Sequence, residues 1–452
     1  MRVIIVGAGR VGRSICEQLC RENHDIVVID SDANKINTIT TEADVMGIVG
    51  NGASYYVQKE AGIDDANLLI AVTGSDEVNL LCCLFAQKSG NVETIARVRN
   101  HQYREELGYI KEELGLALTI NPEYAAACEI SRILRFPLAS KVDTFAGGRI
   151  ELLNLSITAD SVLCNHSLIE IAGMTKSQVL ICAVERAGEV IIPNGSFVIE
   201  ENDKVSIIAS KKDARQFFKR IGYDTHQVKN AMIIGGGKIT YYLAEELIKA
   251  GIEVKIIEKE RGRCEELSEL IPKASIINGD AAVKDVLLEE GIEKAGAVVT
   301  LAKMDETNVF ISLYANNVSK AKVVTKVNRA DFDNIIKTFN LDSIIRPKDI
   351  TTDYIVSYVR ARQKSIGSSV ETIYSIINNK AEALEFEIIE GMSAISKPLR
   401  ELHIKKNLLV GAIIRDDKVM IANGDSTIEC GDRVVVISGI KGFHDFNDIF
   451  EV

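Results

Sequence analysis

The sequence predicts an α/β protein: two tandem Rossmann-like, doubly wound parallel sheets, each followed by a small α+β module. Three observations carry this. Apolar strand runs alternate with helical patterns, a glycine loop follows the first strand run, and the whole arrangement occurs twice. Strands that are apolar throughout, alternating with helices, mean a parallel sheet covered on both faces.

The repeat is read by laying residues 1–226 over 229–452. "RVIIVGAG" (2–9) then lies over "NAMIIGGG" (230–237), and Asp30 over Glu258, 228 positions apart. "AGIDDANLLIAVTGSDEVN" (61–79) lies over "EGIEKAGAVVTLAKMDETN" (290–308), placing Asp76 and Asn79 over Asp305 and Asn308 at an offset of 229. The same offset of 229 carries Asn194 and Gly195 onto Asn423 and Gly424, and Asp203 onto Asp432. So long a period indicates duplicated domains rather than a solenoid.

Within the first copy the strand runs are "RVIIVG", "DIVVID", "VMGIV", "NLLIAVT" and "TIARV", with a helix between each pair. Val11, Ile15 and Leu19 give the first helix one apolar face, as Ile239, Leu243 and Leu247 do in the second copy. A longer helix follows from about Glu123 to Phe136, stopped by Pro137; its counterpart runs from about Asp349 to Gln363, before the linker "KSIGSS". Beyond each lies a module of short strands, "ELLNLSI", "VLICAVE", "EVIIPNGSFVI" and "DKVSIIA", with an Asn-Gly turn and a closing helix at "DARQFFKRIG". The expected domains are a sheet domain at 1–122, a linking helix at 123–139 and a module at 140–226, then 228–346, 347–367 and 368–452.

Composition bounds the function. The 452 residues suffice for two to four domains, and 46% apolar with 26% charged residues is the balance of a soluble globular protein. No apolar run approaches the roughly 20 residues of a membrane span, and "MRVIIVGAGR" turns glycine-rich too soon for a signal peptide, so a cytoplasmic location is expected. Nine cysteines without a C-x-x-C suggest neither a disulfide framework nor a zinc site. A net charge of −11 without a basic run disfavours nucleic acid and anionic lipid, leaving a protein partner as the means of membrane attachment.

The chemistry lies in the glycine loops. Gly7, Gly9 and Gly12 follow a strand and open a helix: the first permits a tight turn, the second lets backbone approach a pyrophosphate, and the third allows the helix to pack on the strand. Helix N-terminal amides then hold the anion. Asp30 ends the second strand run, where a carboxylate accepts from an adenosine ribose and repels a 2′-phosphate, favouring NAD-type or adenine nucleotides over NADP. The second copy keeps Gly235 and Gly237, but Thr240 replaces the third glycine, and its branched Cβ is expected to push the helix off the sheet. Glu258 supplies the ribose carboxylate there. The second loop is then either an altered site or a vestige.

Arg10 and Lys238 match as cations beside the phosphates or as solvated helix-start charges. Further pairs sit at strand ends: Asn51 with Asp280, Thr73 with Thr300, and Arg97 with Lys326, Arg99 lying near. These basic residues either reach distal phosphates or make structural ion pairs, and Asp76 and Asp305 read as helix N-terminal residues.

"GAGRVG", "GNGAS", "VTGSDEVN" and "ARVR" in the first half, with "GGGK", "KIIEKERGRCEEL", "NGDAA" and "DETN" in the second, resemble the RCK/KTN family of potassium-transport regulators over essentially the whole chain. That resemblance implies paired RCK-N and RCK-C domains in a cytosolic gating ring, a self-associating dimer or tetramer, under a Trk-type potassium-translocating membrane subunit. NAD(H), or else ATP or ADP, would alter its shape. By position, Gly7, Gly9, Arg10, Val11, Gly12 and Asp30 would hold the first nucleotide, with Asn51, Thr73, Arg97 and Arg99 around it. Gly235, Gly237, Lys238, Glu258, Asp280, Thr300 and Lys326 would hold the second. Glu123 resembles a position where related single-RCK proteins bind a cation, but its counterpart Lys348 carries the wrong charge, and no metal site is assigned.

The competing class is an NAD-dependent oxidoreductase. It requires an acid or base beside the nicotinamide, and the six histidines form no recognisable pair or motif. Duplication of the whole unit suits a ring, so the sequence reads as a regulator and not an enzyme.

Overall fold

A computed structural model describes residues 1–100, 103, 106–135, 141–145, 150–222, 228–329, 339, 341, 343–365, 370–376, 381–389, 396–416, 418–440, 443 and 445–451. The first sheet contains β1 (Arg2–Val6), β2 (Asp25–Asp30), β3 (Met46–Val49), β4 (Leu68–Ala71), β5 (Glu93–Arg97) and β6 (Leu118–Ile120), all parallel, in the order β3-β2-β1-β4-β5-β6. Strand order reverses between β1 and β4, and a doubly wound sheet opens its ligand crevice at such a switch point.

The first module is an antiparallel sheet of β7 (Lys141–Phe145), β8 (Ile150–Ser156), β9 (Val179–Arg186), β10 (Glu189–Ile191) and β11 (Lys204–Ser210), ordered β10-β9-β11-β8-β7. The second copy repeats both. Its parallel sheet is β12 (Asn230–Ile234), β13 (Glu253–Glu258), β14 (Ser275–Asn278), β15 (Ala297–Thr300), β16 (Lys322–Lys326) and β17 (Ser343–Ile345), ordered β14-β13-β12-β15-β16-β17. Its module is β18 (Val370–Ile376), β19 (Ala381–Glu387), β20 (Leu408–Arg415), β21 (Lys418–Ile421) and β22 (Arg433–Ser438), ordered β18-β19-β22-β20-β21.

The chain divides into two compact units that cut across the repeat. Met1–Ser131 and Asn230–Val356 form one, and Arg132–Lys229 and Ser357–Val452 form the other. Like packs with like. In the first unit each parallel sheet has its own apolar layer, such as Ile4, Val6, Ile29, Leu69 and Cys82 in one copy and Met232, Ile234, Ile257, Val298 and Val323 in the other. In the second unit one core joins the copies: Ile150, Leu152, Cys182 and Ile208 pack with Ala383, Ala412, Ile414, Val435 and Ile437.

Several expectations change. The sixth strands, β6 and β17, are only three residues long and carry no readable alternation. The β9–β10 hairpin turns at Ala187 and Gly188, both with positive φ, whereas Asn194 and Gly195 lie beyond β10 in a loop closed by the Phe197 amide on the Asn194 carbonyl at 3.0 Å. A helix at Leu168–Thr175, unforeseen in the sequence, starts with a reciprocal capping box between Ser167 and Glu170. The linking helices run Pro122–Arg135 and Pro347–Ser365; Phe136, Pro137 and the "IGSS" of the linker lie outside the described residues. Among the described residues no helix is long and apolar enough to cross a membrane.

Each module is locked by the same ion pair. Arg186 places Nε and an Nη on the two Asp203 oxygens, both at 2.8 Å, and Arg415 does so to Asp432 at 2.9 and 2.8 Å. Both aspartates are buried. Burial pushes the Asp203 carboxyl up, but the Arg186 hydrogen bonds, the Glu200 amide and the Arg186 charge together outweigh it and hold the group below the ordinary carboxylate range.

Candidate nucleotide sites at the two glycine loops

The first loop hangs from the switch point by two backbone bonds, the Gly7 amide to the Ile29 carbonyl at 2.7 Å and the Val72 amide to the Val6 carbonyl at 2.8 Å. Gly7 has φ +110°, and a Cβ there would also meet the Thr73 nitrogen at 3.0 Å. A Cβ on Gly12 would stand 1.8 Å from the Gly7 carbonyl oxygen. The fold itself therefore requires these two glycines. Gly9 is different: its φ is −74°, and a Cβ there would have nothing within 4 Å. It caps the helix Arg10–Arg21 without a side-chain hydrogen bond, leaving the first-turn amides free for an anion. Arg10 is exposed beside them and Val11 half-buried.

The second loop keeps this shape. Gly235 has φ +99°, and Gly237 caps its helix at φ −71°, ψ −177°, against −74° and −171° for Gly9. Here too a Cβ on Gly237 would meet nothing within 4 Å, and Lys238 is exposed. Thr240 is fully buried, and its hydroxyl donates to the Gly235 carbonyl at 2.5 Å. The side chain expected to disturb the loop instead ties it down.

Asp30 and Glu258 have matching partners. The Ala8 amide donates to Asp30 Oδ2 at 2.8 Å and the Asp32 amide to Oδ1 at 2.9 Å. The Gly236 amide donates to Glu258 Oε2 at 2.5 Å and the Glu260 amide to Oε1 at 2.8 Å. Each carboxylate thus holds its glycine loop against the end of the second strand, with lone pairs left for a ribose. The longer Glu258 is matched by a smaller neighbour. A Cβ on Gly236 would stand 2.8 Å from Leu267 Cδ1 and 3.0 Å from the Glu258 side chain, whereas Ala8 stands at the matching place beside the shorter Asp30. Sequence reading missed the basic residue five positions after each carboxylate. Lys35 Nζ lies 3.6 Å from Asp30, and Arg263 Nε donates to the Gly236 carbonyl at 2.6 Å.

The remaining candidates divide. Asn51 and Asp280 each accept the amide two residues on, from Ala53 and Ala282, at 3.0 Å. Lys259 donates to Asp280 at 2.7 Å, which holds that carboxyl below its ordinary range. Thr73 lies at the mouth of the first loop, with its hydroxyl on Asn79 at 2.7 Å. Thr300 is not its counterpart. It pairs with Ile234 in the sheet as Ala71 pairs with Val6, it is fully buried, and its hydroxyl meets Ser312 at 3.0 Å, so it faces packed protein and not the loop. The true counterpart of Thr73 is Ala302, whose amide reaches Asn308 at 2.8 Å just as the Thr73 amide reaches Asn79 at 2.8 Å.

Arg97 donates to the Thr73 carbonyl, Arg99 to the Gly74 carbonyl, and Lys326 to the Leu301 carbonyl at 3.1 Å. Burial pushes the Arg97 and Lys326 groups down from their ordinary values. Asn79 and Asn308 also bridge neighbouring strand ends, reaching the Arg97 and Lys326 carbonyls at 2.8 and 3.0 Å. Asp76 accepts the Arg99 and Asn100 amides at 2.8 Å, and Asp305 those of Asn328 and Arg329 at 2.9 Å. Among the described residues no group of three or more His, Cys, Asp or Glu is placed to hold a metal ion, and Lys348 lies 4.0 Å from Asp349.

The family model for the TrkA-N domain matches residues 3–122 and 231–347, and that for the TrkA-C domain matches 152–222 and 383–451. A Trk system potassium uptake protein TrkA homolog of Archaeoglobus fulgidus is 31% identical over 450 residues, covering 100% of both chains. The Trk system potassium uptake protein TrkA of Halomonas elongata is 31% identical over 460 residues, covering 100% of this chain and 99% of that one. Among solved structures, the GsuK channel bound to NAD superposes with a TM-score of 0.65 at 16% identity, over 97% of this chain and 76% of the other. The GsuK RCK domain gives 0.64 at 16%, over 97% and 92%. Both show the shared fold of sheet and module in tandem. With both family models matched twice and full-length relatives above 30% identity, the chain belongs to the TrkA family, built from paired TrkA-N and TrkA-C domains.

Proposed function

We propose that this chain is the cytosolic regulatory subunit of a Trk-type potassium uptake system, a gating ring that binds nucleotide at its glycine loops and passes the change to a potassium-translocating membrane subunit. The observation that carries the reading is the open helix N-terminus at Gly9, capped by no side chain, repeated at Gly237. Packing accounts for the other loop glycines; at these two the open space lets backbone come close to an anion. NAD(H) is the favoured ligand, with ATP or ADP as the alternatives. Gly7, Gly9, Arg10, Val11, Gly12, Asp30, Asn51, Thr73, Arg97 and Arg99 would form the first site, and Gly235, Gly237, Lys238, Glu258, Asp280 and Lys326 the second.

On this reading the chain is a regulator and not an enzyme: the Asp30 and Glu258 carboxylates at the strand ends hold loop amides. Its output is conformational. A coupling of about 1 to 3 kcal/mol would change a gate's open/closed ratio about 5- to 150-fold. Calorimetric titration of the full chain with NADH, ADP and ATP tests the binding. Gly9→Asp and Gly237→Asp close the loops one at a time, since aspartate is a favoured N-cap and the backbone there is unstrained, while its carboxylate occupies the anion's place. Binding that survives both substitutions would overturn the assignment.

A further inference from the structure

The helix that begins at the second glycine loop carries Tyr242, two residues past the Thr240 that ties that loop. Tyr242 is buried and reaches into the first copy. Its hydroxyl accepts from Asn121 Nδ2 at 3.0 Å and donates to the Arg99 carbonyl at 3.3 Å, and its ring meets that of Tyr124 edge-on at 5.6 Å. Neither partner is incidental. Asn121 Oδ1 accepts the Tyr124 amide at 2.9 Å, capping the linking helix Pro122–Arg135. Arg99 donates from its side chain to the Gly74 carbonyl and from its amide to Asp76, within the strand-end cluster beside the first loop.

We infer that Tyr242 is a positioning residue through which occupancy of the second loop is felt at the first nucleotide site and at the cap of the first linking helix. The inference rests on the nucleotide reading above and adds a coupling between its two sites. A ligand drawn onto the Gly237 amides pulls on the helix bearing Tyr242 one turn away, and a buried, doubly bonded phenol moves only with its partners. The sequence does not repeat the pair: Ser14 stands where Tyr242 does, with neither ring nor phenol, and Arg346 stands where Asn121 does. The wiring is therefore built into one side of a duplicated frame.

The test uses the full chain with NADH as the probe. Calorimetry on Gly237→Asp and Gly9→Asp gives the affinity of each loop with the other closed. In the unsubstituted chain the product of the stepwise constants should depart from the product of those affinities by a factor of about 5 or more. Tyr242→Phe keeps the ring and removes the hydroxyl. It should bring that factor within about twofold of one, the range expected of independent sites, with single-loop affinities unchanged. Amide exchange gives a second reading. In Gly9→Asp, NADH should alter protection over residues 97–100 and 121–125 of the first copy, and Tyr242→Phe should abolish the change. An undiminished factor in Tyr242→Phe, unaltered protection, two independent sites or binding at one loop alone would each overturn the coupling while leaving the nucleotide reading intact. Binding at neither loop would remove both.

Discussion

Gly12 and Thr240 occupy the same place in two copies and meet the same neighbour, the carbonyl of the first loop glycine. Where the helix lies close, a Cβ would stand 1.8 Å from that oxygen; where threonine is present, its hydroxyl bonds the oxygen at 2.5 Å. Gly12→Ala should therefore cost about 1 to 3 kcal/mol of stability, as overpacking does. Thr240→Gly should cost about 1 to 2 kcal/mol, for a lost hydrogen bond and a glycine in a helix, while leaving nucleotide affinity at the second loop nearly unchanged. Urea unfolding of both variants, with calorimetry on the second, checks this; a silent Gly12→Ala would mean the loop relaxes freely. Sequence spacing was enough to locate both loops and both carboxylates. It did not reveal that Asp30 and Glu258 bond loop amides, because one-dimensional spacing does not show which donors a carboxylate meets. Thr300 was misplaced for a related reason: it lies two residues early, still inside β15 and fully buried, where its hydroxyl meets Ser312 instead of the loop.

The modules show how far an element can be read from its pattern. Strands β8, β9 and β11 stood out as apolar runs, yet β6 and β17, with three residues each, are strands only because β5 and β16 lie beside them. The Arg186–Asp203 pair was invisible for a different reason, since it joins β9 to the turn before β11 across 17 residues. It closes the loop that the Asn-Gly signal only marks. Arg186→Ala should destabilise the protein by about 3 to 5 kcal/mol, because it leaves the buried Asp203 charge without its partner. The pH dependence follows from the depressed Asp203 value. A carboxyl whose folded value lies below its unfolded one, about 3.9, contributes stability that is complete above that pH and lost as pH falls through the folded value. The stability gap between wild type and Arg186→Ala should therefore be widest near neutrality and close below about pH 4. A gap independent of pH would assign the effect to packing.

The repeat was legible across the whole chain, but its packing was not. A linear offset suggests two halves side by side, whereas the compact units pair sheet domain with sheet domain and module with module. The reason is apolar area. The faces carrying Ile150, Leu152 and Ile208 and those carrying Ala412, Val435 and Ile437 cover each other, and burying each large aliphatic side chain is worth about 1.5 to 3 kcal/mol. Residues 1–228 expressed alone should thus self-associate, and mixed with 229–452 they should give a one-to-one complex by light scattering; a stable, monodisperse monomer of either half would show that the shared core is dispensable. The whole chain is the sensor in this account, so the most direct measurement is potassium flux itself. With the protein and a Trk-type membrane subunit reconstituted together in vesicles, rubidium uptake is followed with and without NADH, ADP and ATP. At least one nucleotide should change the flux, and the Gly9→Asp, Gly237→Asp double variant should abolish the change. Flux that ignores nucleotides which demonstrably bind the loops would contradict the account.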